Sequence, residues 1–143
     1  MSKAQTDAVV ARVQSVPDQS AKTWTLVAPR DAVGKLPTPP YTVVQPSDGT
    51  NTADRFTGPR SVSHPRFVLH FVGSSYDNAQ ATLERVKAKF IDPVSKFPIL
   101  LTVSGESVKN FIWESPLPVQ VDNDVTPPLL YASAEISWDA ETL

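Results

Sequence analysis

The chain has 143 residues, 41% apolar and 20% charged, with a net charge of −2, the composition of one ordinary globular domain. That balance excludes the broad basic stripe of a general nucleic-acid binder, and no apolar run approaches the ~20 residues that span a bilayer. There is no cysteine, which excludes disulfides and thiolate metal sites.

The N-terminal MSKAQTDAVV lacks the apolar core of a signal peptide, and with the missing cysteines it fits a reducing cytoplasm. Proline is the outlier, at 14 residues against 5 glycines, where average usage would give about 7 and about 10. Proline stiffens connections and limits the unfolded chain, so short elements joined by long, stiff loops are expected.

Gln5 to Val16 reads as a first helix, with Val9, Val10, Val13 and Val16 at helical spacing and Thr6 as cap. Pro17 stops it. Lys22 to Ala28 alternates as a half-buried strand, with Trp24, Leu26 and Ala28 on one side. A loop rich in proline, PRDAVGKLPTPP, leads to a second strand from Tyr41 to Gln45. A long polar segment follows, broken by Gly58, Pro59 and Pro65. Arg66 to Val72 is a third strand with Phe67, Leu69 and Phe71 on one face; Val68, His70 and Val72 on the other suggest a central strand. Ser75 caps a second helix whose apolar seam is Tyr76, Ala79, Leu83, Val86 and Phe90, and Pro93 ends it. Lys87 and Lys89 suit its C-terminal dipole.

Ile99 to Val103 and Phe111 to Trp113 are short strand candidates, and SPLPVQVDNDVTPP is extended and irregular. Leu130 to Trp138 alternates best, with Leu130, Ala132, Ala134, Ile136 and Trp138 facing one way. The expected fold is a single α+β domain over residues 1–143: two helices packed on a mostly antiparallel sheet of about four to five strands, with long proline-rich loops.

A search for chemistry finds little. His64 and His70 are the only histidines, and neither has a carboxylate or second histidine at metal-ligand spacing. His70 reads as a satisfied strand histidine. No G-x-S-x-G elbow or glycine-rich phosphate loop is present. Asp122, Asn123 and Asp124 lack the glycine and terminal glutamate of a calcium loop. No catalytic residue, metal site or cofactor is expected, and the chain is read as a non-enzyme.

Two places suggest interactions instead. The Ser47–Arg60 segment reads either as a mobile surface hairpin or as an arm that contacts a neighbouring subunit. In the second reading Asp54, Arg55 and Phe56 form a charged pair around an aromatic anchor, with Arg60 closing the turn. Trp113, near prolines, has two readings, core residue or interface anchor.

The stretch PYTVVQPSDGTNTADRFTG, followed by a strand ending HFVGSS and a helix, resembles the tail terminator proteins of long-tailed, siphovirus-like bacteriophages, especially those of actinobacteria. DNDVTPPLLYASAEISW is similar to the segment that closes those chains. The resemblance implies a structural virion protein at the tail–neck junction, assembled in the host cytoplasm. It implies a homo-hexameric ring that caps the head-proximal end of the tail tube. Its partners would be the tail tube protein and a neck or head-completion protein. Genomic DNA would pass through the lumen without specific binding, and no membrane is involved. The alternatives are a neck or head-completion ring protein and, from a different class, a small-ligand or enzyme domain built around Trp24, Tyr41 and Trp138.

Overall fold

The computed structural model describes residues 3–53, 61–115 and 117–142, with side chains of 48–53 and 61 left aside. Helix α1 spans Lys3–Gln14 and α2 spans Tyr76–Phe90. The strands are β1 (Thr23–Thr25), β2 (Tyr41–Ala53), β3 (Ser61–Gly73), β4 (Glu106–Glu114), β5 (Gln120–Asp122) and β6 (Leu129–Thr142). They form one sheet in the order β1-β2-β3-β6-β4, with β5 also paired to β6. Among the described strands, only the β1–β2 pair is parallel. The expected α+β architecture is present, with a larger, mixed sheet.

Both helices cover the same face. Val9, Val13 and Val16 from the first helical region and Ala79, Leu83, Val86 and Phe90 from α2 share one cluster with the sheet residues Phe67, Leu69, Phe71, Ile136 and Trp138. The period of two on the strands explains the match: Phe67 pairs with Ile136, Leu69 with Ala134 and Phe71 with Ala132. Aromatic rings fill the centre. Phe67 stacks on Trp138 at 5.5 Å and Phe90 on Phe111 at 5.7 Å.

Ser75 caps α2 as expected, its Oγ accepting from the Asn78 N–H at 3.2 Å. Gly73 is required just before it, because a Cβ there would sit 2.5 Å from the backbone nitrogen of Ala79. Tyr76 leaves the predicted seam and is 57% exposed. As the first residue of α2, it precedes the turns that reach the sheet.

Besides β4, which is longer than the expected Phe111 to Trp113, and β5, which lies in the stretch expected to be irregular, four further segments differ from the sequence reading. Helix α1 starts at Lys3 and ends at Gln14, and Pro17 opens a 3₁₀ turn over Pro17–Gln19. The first strand is cut to Thr23–Thr25 because Leu26 takes a left-handed φ of 70° and turns the chain outward. Strands β2 and β3 run further into the polar segment than their composition suggests. Thr50 to Ala53 pair with His64 to Ser61, past a bulge, and Val62 pairs in turn with Glu141 of β6. The pairing partner holds these residues extended where propensity would not. Ile99 to Val103 makes no ladder; Arg12 takes the carbonyls of Ile99 and Leu100 at 2.9 and 3.1 Å.

A buried polar knot holds β1 to its neighbour. Gln19 is fully buried. Its Oε1 accepts from Thr42 Oγ1 at 2.7 Å, and its backbone carbonyl accepts from Thr23 Oγ1 at 2.8 Å.

Candidate interaction surfaces

Neither described helix packs on the sheet's second face. A smaller apolar cluster of Tyr41, Val43, Val72 and Leu129 covers one end of it, joined by Trp24, Leu36 and Tyr131. The proline-rich connection between β1 and β2 and the turn after β5 rise over this cluster and leave a groove of about 790 Å³. Leu26, Val27, Val121 and Arg30 stand on its walls, and Asp122 and Asp124 on its rim. Asp122 opposes ionisation of Tyr41, whose phenol is pushed above its usual value mainly by burial. Trp24 meets Tyr41 edge-on at 5.7 Å. Trp138 lies in the helix-covered core instead, so the aromatic triad of the ligand-binding alternative does not converge.

His70 lies at the edge of the groove. Its Nδ1 accepts from Ser133 Oγ at 2.8 Å and its Nε2 donates to Gln45 Oε1 at 3.0 Å. Gln45 completes the chain by donating from Nε2 to the Leu26 carbonyl at 3.4 Å. A Ser–His contact is the first half of a nucleophilic pair. The second half is an anion that stabilises the imidazolium, and here that place is held by a neutral amide. Burial pushes the His70 pKa below its usual value, which favours the neutral ring. Ser133 is itself buried. The arrangement is that of a satisfied strand histidine.

A second polar cluster lies at the other end of the same face. Asp139 on β6 bonds Asn110 Nδ2 at 2.8 Å and His64 Nδ1 at 2.7 Å. The Asn110 amide first, and His64 second, hold its carboxyl below the usual range. Asn110 has φ 55° within the β4 bulge, a left-handed position asparagine tolerates. The cluster therefore joins β3, β6 and the irregular part of β4. Arg66 and Glu135 form an ion pair on the same face. Among the described residues no group of three or more His, Cys, Asp or Glu side chains could hold a metal ion. No described helix is long and apolar enough to cross a membrane.

Asp54, Arg55, Phe56 and Arg60 lie outside the described residues, in the connection between β2 and β3. Trp113 is described. It packs against the main core, 5.5 Å from the Phe90 ring and 6.4 Å from Phe71, and its indole N–H is buried without a partner in the structure.

No family model matches this chain, and no curated protein matches it significantly. Its fold is similar to those of solved structures. One of them is a chain of a structure described as the virion of a native gene transfer agent particle, with a TM-score of 0.60 over 98% of this chain and 99% of that one. Sequence identity is 15%, so the likeness lies in the fold.

One surface escaped the sequence reading. The turn after α2 puts Val94 and Phe97 into water at 89% and 74% exposure, with Ile99 and Leu100 beside them. Its signal was apolar residues without period between Pro93 and Pro98. The turn is tightly bonded: Asp92 Oδ1 accepts from the Val94 and Ser95 N–H groups at 2.8 and 3.0 Å. Its main chain closes from Asp92 N to Phe97 O at 2.9 Å and from Ile99 N to Phe90 O at 2.7 Å.

Proposed function

We propose that this chain is a structural virion protein: a tail terminator that forms a hexameric ring on the head-proximal end of a long-tailed phage's tail tube. The observation that carries the reading is the end-to-end fold match with a chain of a phage-like virion. The two stretches similar to tail terminators add the finer role. In this reading the ring stops tube polymerisation and offers its other axial face to the neck. Residues Asp54, Arg55, Phe56 and Arg60 belong to subunit contacts, while Trp113 anchors β4 to the core from within. Genomic DNA crosses the lumen without specific binding, and the slightly acidic net charge of −2 opposes retention of the genome. The role is non-catalytic, in keeping with a Ser133–His70 contact that ends in an amide.

The fold match serves a neck or head-completion protein equally, and one experiment separates the two. A phage lacking this chain is examined by electron microscopy and its tail lengths are measured. A terminator's loss gives overgrown tubes and unjoined, DNA-filled heads. A narrow, normal length distribution with leaking heads rejects the terminator and selects the neck reading.

A further inference from the structure

Two exposed apolar surfaces lie on opposite layers of the domain and differ in the balance of charge around them: Asp122 and Asp124 outnumber Arg30 at the groove, and Lys89 and Lys96 outnumber Asp92 at the turn. The groove side carries Leu26 and Val27, 58% and 74% exposed, beside Asp122 and Asp124. Leu26 is held outward with a left-handed backbone: its N–H bonds the Val44 carbonyl at 2.9 Å and its own carbonyl accepts from Gln45. A bulky side chain rarely holds that conformation, and such strain collects at functional surfaces. The turn side presents Val94 and Phe97 with Lys89 and Lys96 nearby in the chain and Arg12 bonded beneath it. Both surfaces are braced by main-chain hydrogen bonds within the one chain, which lowers the ordering cost of binding.

Helix α2 begins at the end of the sheet where β3 finishes and runs back across the covered face. The turn after it is therefore displaced from the groove in both layer and direction. One copy cannot join its own two surfaces. We infer that the Val94–Phe97 turn of one copy docks on the Leu26–Val27 wall of the next, with lysines meeting Asp122 and Asp124. A contact between two different patches is head-to-tail and can close into a ring. The inference rests on the proposed ring and names the contact that builds it.

The chain has no cysteine, so introduced thiols report without background. Val27→Cys, Phe97→Cys and the double variant are purified, checked for unchanged circular dichroism and oxidised. The same is done on particles carrying each variant. The expected result is a disulfide-linked ladder from the double variant only, lost on adding Lys96→Glu with Lys89→Glu. Dimers from either single variant mean like-to-like pairing and overturn the contact. Multimers by light scattering, or several copies per particle, without a ladder overturn the contact and leave the ring standing. One copy per particle and a monomer in solution overturn both.

Discussion

Replacing Leu83 by alanine tests the placement of α2 on the sheet, provided Tyr76→Ala is measured beside it. Periodicity puts both residues on one seam. The structure buries Leu83, at 3% exposure, in the main cluster, and leaves Tyr76 57% exposed. Leu83→Ala removes three carbons from the core, about 2.4 kcal/mol at about 0.8 kcal/mol each. The space they leave adds about 1 kcal/mol more when neighbours relax only in part. A loss of about 3–4 kcal/mol follows. For 143 residues, at about 2.1 cal/mol/K each, that lowers Tm by roughly 10 °C. Tyr76→Ala removes no packed group and should stay within about 0.5 kcal/mol. Urea denaturation, followed by tryptophan fluorescence, gives both values from one m-value. A loss below about 1 kcal/mol for Leu83→Ala, or an equal loss at Tyr76, refutes the assigned face of the helix.

Three further outcomes are expected. Gly73→Ala brings a methyl group against the backbone of Ala79 and should cost about 1–3 kcal/mol, read as a lower urea midpoint. Because burial lowers the His70 pKa from its usual 6.5, the unfolded chain binds the proton more readily. The His70 contribution is then complete above about pH 6.5 and is lost as pH falls through the folded value. Urea midpoints at pH 7.5 and 5.5 should fall more for the wild type than for His70→Gln. Replacing residues 54–60 with a short turn should leave Tm nearly unchanged and abolish tail capping in an infected lysate. Global unfolding of that variant would assign the segment to the fold instead of to assembly.

Local patterns announced most elements because they depend on neighbours within one turn or two. The Ser75 cap, the Leu83–Phe90 part of the seam and the alternation through Ile136 and Trp138 all arise this way. What was illegible depends on residues far apart in the chain. Thr50 to Ala53 have weak strand composition and are extended by their partners. Leu26 reads as one more alternating apolar residue, yet the hydrogen bond it donates to Val44 and the one it accepts from Gln45 turn it out. The groove joins Leu26, Tyr41, His70, Asp122 and Tyr131 from separate elements, and no single window of sequence contains it. Of the interface candidates, the residues between β2 and β3 lie outside the described chain. Trp113 was read both ways, and its rings touch Phe71 and Phe90.

The place of β6 sets an order in time. It leaves the ribosome after β1 to β5, yet it lies between β3 and β4. Until residues 129–142 emerge, β4 has no ladder partner and the apolar row Phe67, Leu69 and Phe71 has an open flank. A nascent chain halted before that point cannot close its sheet, and an unpaired strand edge invites association with other chains. Long-range pairing of this kind is also slow. Closure of the sheet is thus tied to the synthesis of residues 129–142, which come after every other strand it pairs with.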